Sequence, residues 1–165
     1  MTELETWVEK QKIYELCARY TLTLDRHDID AWAECFTADG VFGFGDHGLR
    51  GRQKIAAYGR VHQQLGSRHL NTSLLFEIDP GGESATGSST TVATFATRQG
   101  YRVAFLGRYE DEVRKVDGAW LFARRWVVAD QLPDDPSFDL LGADPALAPL
   151  VQRLVDAYRE LGEPM

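Results

Sequence analysis

The chain has 165 residues, of which 44% are hydrophobic, and it carries a formal net charge of −7 at pH 7. This length predicts one globular domain, and the excess of acidic over basic residues excludes the basic footprint of a nucleic-acid-binding protein. The sequence has no apolar run of the length that crosses a membrane, and its first residues are acidic rather than those of a signal peptide. We therefore expect a cytoplasmic protein that binds neither nucleic acid nor a membrane.

The N-terminal part of the chain has the apolar periodicity of a long helix. Thr2 and Glu5 have the spacing of a capping box, and apolar residues then recur at three- and four-residue steps as far as Leu24. The predicted buried stripe consists of Ile13, Leu16, Cys17, Tyr20 and Leu24. Cys17 and Cys35 both lie in apolar helical patterns, so we expect buried, reduced thiols rather than a disulfide or a catalytic pair.

Short elements separate this helix from the next long one. Asp28 or Asp30 can cap a second, short helix, and the turn chemistry of residues 37–40 predicts its end. A short strand at residues 41–44 and a glycine-rich loop at residues 45–48 follow. Apolar residues at helical spacing then predict a helix from Arg52 to Leu65, which Gly66 closes.

The second half of the chain is dominated by strands. Turn signals separate four long strand patterns, at residues 70–78, 84–98, 101–116 and 119–131. Asp117-Gly118 is the strongest hairpin signal in the sequence. Strands joined by such tight turns must be antiparallel, because parallel strands need a longer crossover.

Helices followed by hairpin-linked strands predict an α+β fold in which the helices cover one face of a curved antiparallel sheet. We expect a barrel domain over residues 1–132 and, over residues 133–165, a proline-containing arm and a last helix that pack on the same domain. Long strands curl, and the space between a curled sheet and its helices is a natural pocket for a small ligand.

Three polar side chains are candidates for the wall of such a pocket. Tyr20 lies on the apolar stripe of the first helix, whereas helical periodicity neither places Asp25 inside nor excludes it. His69 opens a strand in which alternation puts His69, Asn71 and Ser73 on one face, where they would line a polar pocket. A structural histidine satisfied by its neighbours is an equally good interpretation of His69. The other histidines (His27, His47 and His62) are predicted to lie at the surface.

The last strand pattern contains two adjacent arginines, which alternation sends to opposite faces. An inward Arg125 would need a carboxylate or an anionic substrate group as its partner, while an outward Arg124 could stack on tryptophan.

The histidine and cysteine spacings do not match a zinc site, and no phosphate loop or nucleophile elbow is present. Proton-transfer catalysis without a metal or cofactor is the chemistry that is left.

The sequence resembles a known superfamily at these positions. The resemblance rests on the segments Ile13–Leu16, Trp32–Gly40 and Asp117–Trp120 and on the single residues Arg19, Tyr20, Asp25, Arg68, His69, Asn71 and Arg125. Over about residues 5 to 131, the chain is similar to the SnoaL-like branch of the nuclear-transport-factor-two-like superfamily. Within that branch it resembles the scytalone dehydratase, bile acid 7α-dehydratase and hexachlorocyclohexane dehydrochlorinase families.

The resemblance implies a cone-shaped α+β barrel with one deep pocket and an aspartate–histidine pair formed by Asp25 and His69. It implies a cofactor-independent lyase in which His69 is the general base, Asp25 orients it, Tyr20 donates a hydrogen bond and Arg125 holds developing negative charge. The expected substrate is a hydrophobic, ring-bearing small molecule. The residues expected to bind it are Trp32, Phe36, Phe42, Tyr58, Asn71 and Leu74.

Two alternatives stay open. An isomerase or polyketide cyclase could use the same pocket with Asp25 as the base, and a non-catalytic protein could simply bind a small molecule in it. Members of the superfamily assemble through the outer sheet face, so we also expect a homodimer or homotrimer.

Overall fold

The computed structural model describes residues 1–97, 100–130 and 148–165. The helices are α1 (Glu3–Asp25), α2 (Ile29–Glu34), α3 (Arg52–His62, extended by a 3₁₀ turn at Gln63–Leu65) and α4 (Ala148–Leu161). The strands are β1 (Phe36–Phe44), β2 (His47–Arg50), β3 (Arg68–Ile78), β4 (Ser84–Thr97), β5 (Gly100–Val116), β6 (Ala119–Ala129) and β7 (Glu163–Pro164).

Helix α1 confirms the prediction from periodicity. The hydroxyl of Thr2 accepts a hydrogen bond from the backbone N–H of Glu5, and the Glu5 carboxylate accepts one from the backbone of Thr2, so the capping box is complete. All five residues of the predicted stripe are buried. Cys17 and Cys35 are free and buried, as predicted.

The strands form one seven-stranded sheet in the order β3-β4-β5-β6-β1-β2-β7. The three long hairpin pairs are antiparallel, as predicted, and Asp117 and Gly118 both adopt the positive φ that their two-residue turn requires. Only the pairing of β1 with β6 is parallel within the described sheet. The fold is the predicted α+β arrangement, in which a curved, mostly antiparallel sheet surrounds the N-terminal helices.

Two short elements differ from the sequence prediction. The expected turn at residues 37–40 lies inside β1, because the register between β1 and β6 shifts between Phe36 and Val41 and accommodates these residues as an irregularity within the strand. The expected loop at residues 45–48 is shorter than predicted: only Gly45 and Asp46 form the turn, and His47 already pairs with Phe44 in a hairpin.

The C-terminal segment packs on the rest of the domain. Leu150, Val151 and Leu154 of α4 contact a small cluster of buried residues, and β7 adds a last strand beside β2. The predicted boundary at residues 132–133 lies outside the described residues, as do the predicted ends of two strand patterns at residues 98 and 131. None of the described helices is both long and apolar enough to span a membrane.

Candidate functional site

Asp25 and His69 are in direct contact although 44 positions separate them in the sequence. The Asp25 carboxylate lies 2.7 Å from Nδ1 of His69 and also accepts a hydrogen bond from the His69 backbone N–H at 3.0 Å. Both side chains are largely buried, with 12% and 8% of their surfaces exposed. An ionised carboxylate only accepts hydrogen bonds, so Nδ1 carries the proton and Nε2 of a neutral ring is the free basic nitrogen.

The local sequence explains why these groups meet. Asp25 is the last residue of α1, and His69 is the second residue of β3. Arg68 donates hydrogen bonds to the backbone carbonyls of Asp25 and Ser67, both at 2.8 Å, and so ties the end of the helix to the start of the strand. Arg68 therefore satisfies a free carbonyl group at the C-terminal end of α1, and it holds Asp25 and His69 close together.

His69 forms part of the wall of a cavity of about 730 Å³ between the helices and the sheet. Most lining residues are aromatic or aliphatic, and the lining as a whole comes from all four helices and from β1 to β6. Of the side chains predicted to bind substrate, Trp32, Phe42 and Tyr58 line this cavity. A cavity of this size and character suits a small molecule.

Tyr20 also lines the cavity, and its ring packs between those of Trp32 and Tyr109 at centroid distances of 5.6 and 5.9 Å. Burial raises the pKa of Tyr20 well above its ordinary value, and the neighbouring Tyr109 raises it further. The Tyr20 hydroxyl therefore stays protonated and can act as a hydrogen-bond donor.

Arg125 lies beside the cavity, paired with a carboxylate, rather than in the cavity wall. The side chain points inward, as alternation predicted, but it is fully buried and is not among the residues that line the cavity. Its guanidinium donates two hydrogen bonds to Asp111, at 2.8 and 2.7 Å, and lies 4.3 Å from the centre of the Tyr20 ring. The carboxylate that a buried Arg125 was expected to need is thus Asp111, on the neighbouring strand β5.

Three further predicted contacts also lie away from the cavity wall. Phe36 is buried in the core against Tyr20, and Leu74 packs on the core beside a bulge that shifts the register of β3 between Thr72 and Leu75. The amide atoms of Asn71 are buried without a hydrogen-bond partner among the described residues. Strand alternation assigned the faces, but it does not specify which residues on a face reach the cavity.

Sequence reasoning missed His62, which was expected at the surface. Its ring stacks on that of His69, with the centroids 5.5 Å apart and the planes 28° apart, and it lines the cavity. Burial, with a smaller contribution from His69, lowers the pKa of His62 to about 3, so its ring is neutral. The signal was present in the sequence, because His62 follows Tyr58 by four residues on the apolar stripe of α3.

Other missed residues come from β4, β5 and the C-terminal helix. Thr91 and Tyr109 line the cavity from the sheet, and the residues of α4 that line it are Val151, Leu154, Val155, Tyr158 and Arg159. Tyr158 fixes α4 to the β1–β2 hairpin: its hydroxyl accepts a hydrogen bond from the Phe44 N–H at 2.7 Å and donates to the His47 carbonyl at 2.5 Å.

Within the described ranges, no group of three or more His, Cys, Asp or Glu could hold a metal ion.

Comparison with known proteins identifies the family. The family model of the SnoaL-like domain matches residues 6–126. The chain belongs to the SnoaL-like domain family. This membership confirms the resemblance that the sequence motifs predicted. A SnoaL-like domain with a mainly apolar cavity is a fold that processes small molecules.

Solved structures extend the similarity of this SnoaL-like chain over its full length. A protein of unknown function from Mycobacterium tuberculosis, solved as an Asp-to-Asn variant, is 42% identical, with a TM-score of 0.90 and coverage of 100% of this chain and 98% of that one. Two proteins from Novosphingobium aromaticivorans share the fold. A proposed scytalone dehydratase is 23% identical, with a TM-score of 0.68 and coverage of 76% and 87%. A protein described as NTF2-like with a cystatin-like fold is 22% identical, with a TM-score of 0.70 and coverage of 90% and 92%. No curated protein matches the SnoaL-like sequence.

Proposed function

We propose that the protein is a cofactor-independent lyase of the dehydratase type that acts on a hydrophobic, ring-bearing small molecule. The observation that carries this proposal is the contact of Asp25 with His69, which forms part of the wall of an apolar cavity. A carboxylate that accepts the Nδ1 proton leaves Nε2 as the base and stabilises the imidazolium that forms when Nε2 takes a proton.

In the proposed reaction, Nε2 of His69 takes a proton from a carbon atom next to an activating carbonyl group. The electron pair of that C–H bond becomes the new carbon–carbon double bond as the neighbouring C–O bond to a hydroxyl group breaks. The imidazolium then returns the proton to the departing hydroxide, so the products are an unsaturated ring compound and water. Asp25 holds the ring in one tautomer throughout.

Tyr20 is the proposed donor to the oxygen of the activating carbonyl group. Its raised pKa supports a role as a neutral donor rather than as a base. Arg125, which lies against the Tyr20 ring at 4.3 Å, is proposed as a positioning residue that acts through Tyr20 and does not touch the substrate.

The apolar walls support the proposed substrate class. Trp32, Phe42 and Tyr58 form a continuous set of ring contacts, with centroid distances of 5.9 Å and 5.7 Å between neighbours. Such walls exclude water, which strengthens the electrostatic interactions of the dyad with the reacting atoms.

The test is a panel of two- and three-ring β-hydroxy ketones, with mass spectrometry to detect products that have lost one water. We expect turnover of at least one member of the panel, and a reduction of about 10²- to 10⁴-fold in the variants His69→Gln and Asp25→Asn. A product isomerised without loss of water would instead indicate the isomerase alternative.

Matched controls separate catalysis from folding. His27→Asn changes an exposed histidine whose φ of 63° asparagine tolerates, and Asp30→Asn changes an exposed carboxylate that pairs with Arg60. Both controls should keep activity within about twofold of the wild type, as expected for surface sites. A His69→Gln enzyme that retains most of its activity would remove His69 from the mechanism.

A further inference from the structure

The charged group that contributes to the cavity wall from α4 is Arg159, in the last turn of the helix. The other residues of α4 at the cavity are apolar, apart from the hydroxyl group of Tyr158, which is bound to the β1–β2 hairpin. Among the described residues that line the cavity, Arg159 is the only arginine or lysine. An arginine at the edge of an apolar cavity can receive an anion through its fixed fork of N–H donors.

Arg159 has no ion-pair partner within the part of the chain that the structure describes, whereas three other cations do. Arg50 and Lys54 pair with Glu163 at 3.0 and 3.5 Å, and Arg60 pairs with Asp30 at 2.7 Å. No carboxylate among the described residues lies within ion-pair distance of Arg159, and its side chain is exposed. Arg159 is therefore an exposed cation at the cavity wall that is available to pair with an anionic ligand.

The carboxylate of Asp46 also contributes to this end of the cavity and would oppose a bound anion. Its oxygen lies 2.6 Å from Nδ1 of His47, and its side chain is largely exposed to solvent. Solvent therefore screens the repulsion between Asp46 and an anion bound to Arg159.

A series of ring contacts separates His69 from the C-terminal turn of α4, which carries Arg159. From His69, ring contacts lead through His62 and Tyr58 to Tyr158, with successive centroid distances of 5.5, 6.0 and 5.6 Å. Arg159 follows Tyr158 in the sequence. A ligand that touches both ends must be elongated, with its reacting carbon at one end and its anionic group at the other.

We infer that the substrate of this cavity is an anionic ring compound whose carboxylate, sulfonate or phosphate group binds Arg159 at the end of the cavity remote from His69. The inference rests on the proposed function, because it assigns the chemical class of the substrate at the same site. Binding energy from the remote anionic group orients the ring so that its reacting carbon meets Nε2 of His69.

The test compares two probes of the same shape, 2-naphthoate and its neutral analogue 2-naphthamide, by calorimetric titration at pH 7. The wild type should bind the carboxylate about 2- to 5-fold more tightly, the range expected for an accessible ion pair, and added salt should reduce this preference. Arg159→Gln should abolish the preference. Arg153→Gln is the matched control, because Arg153 is exposed on the same helix and does not line the cavity.

Equal affinities for the two probes in the wild type, no binding of either probe, or an unchanged preference in Arg159→Gln would each overturn the inference. Parallel titrations with 2-naphthalenesulfonate and 2-naphthyl phosphate identify which anion the arginine prefers. His69→Gln should keep the preference for the carboxylate even though it lacks the proposed base. Failure of the anion site and failure of the catalytic proposal are thus measured separately.

Discussion

The buried ion pair between Arg125 and Asp111 gives the most quantitative prediction for the fold. Both side chains are fully buried, and the guanidinium donates two hydrogen bonds to the carboxylate. The rings of Tyr20, Tyr109 and Phe122 surround the guanidinium, with distances of 4.3, 4.1 and 3.9 Å from Cζ to the ring centres. Asp111→Asn would remove the negative charge and leave a positive charge among these rings.

We expect Asp111→Asn to lower the free energy of unfolding by about 3–5 kcal/mol, the usual cost of leaving a buried charge without its partner. The double variant Arg125→Met, Asp111→Leu removes both charges and replaces them with apolar groups. Its unfolding free energy should lie within about 2 kcal/mol of the wild type, because desolvation of the two ions offsets much of their attraction.

Urea unfolding followed by circular dichroism measures both variants, with the midpoint and the slope giving the free energy in water. The reasoning predicts that the single variant is less stable than the double variant. A cost below about 1 kcal/mol for Asp111→Asn, or a double variant as unstable as the single one, would refute the view that the pair is buried and mutually dependent.

Three other perturbations test separate parts of the structure. Leu16→Ala, at a fully buried position of α1, should lower the unfolding free energy by about 2–5 kcal/mol in the same urea assay, and a loss below about 1 kcal/mol would contradict its place in the core. Glu163→Gln breaks exposed ion pairs with Arg50 and Lys54 and should change the unfolding free energy by less than about 1 kcal/mol. His62 has a pKa of about 3 in the folded protein, against an ordinary value of 6.5. As the pH falls, His62 therefore takes up a proton in the unfolded chain before it does so in the folded protein. The free energy of unfolding should consequently fall by up to about 1.4 kcal/mol per pH unit below pH 6.5. His62→Phe should flatten this acid limb of the stability curve, and an unchanged slope would show that His62 is not held neutral.

Periodicity predicted those parts of the fold that depend on one buried face. The α1 stripe around Leu16 and Tyr20 follows from the three- and four-residue spacing, and the Asp117-Gly118 hairpin follows from its turn chemistry. The strand conformation of residues 37–40 could not be predicted in this way, because these residues lie between Phe36 and Val41, whose pairing with the distant strand β6 is not encoded in the local sequence.

The contact between Asp25 and His69 shows what local patterns leave open. Helical angles did not assign Asp25 to the interior, since its position depends on how α1 ends and on the hydrogen bonds from Arg68. In the sequence, only the resemblance to the superfamily indicates that the two residues form a pair. Arg125 shows the converse: alternation gave its inward direction correctly, but the depth of the side chain depends on the register between β5 and β6, which brings Asp111 beside it.

The most direct test of the proposed dyad is the tautomer of His69. Long-range proton–nitrogen NMR spectra of the imidazole rings distinguish a proton on Nδ1 from a proton on Nε2. The hydrogen bond to Asp25 predicts that the neutral His69 ring carries its proton on Nδ1, and that Asp25→Asn weakens this preference. A neutral wild-type ring with its proton on Nε2 would contradict the assignment of that nitrogen as the base.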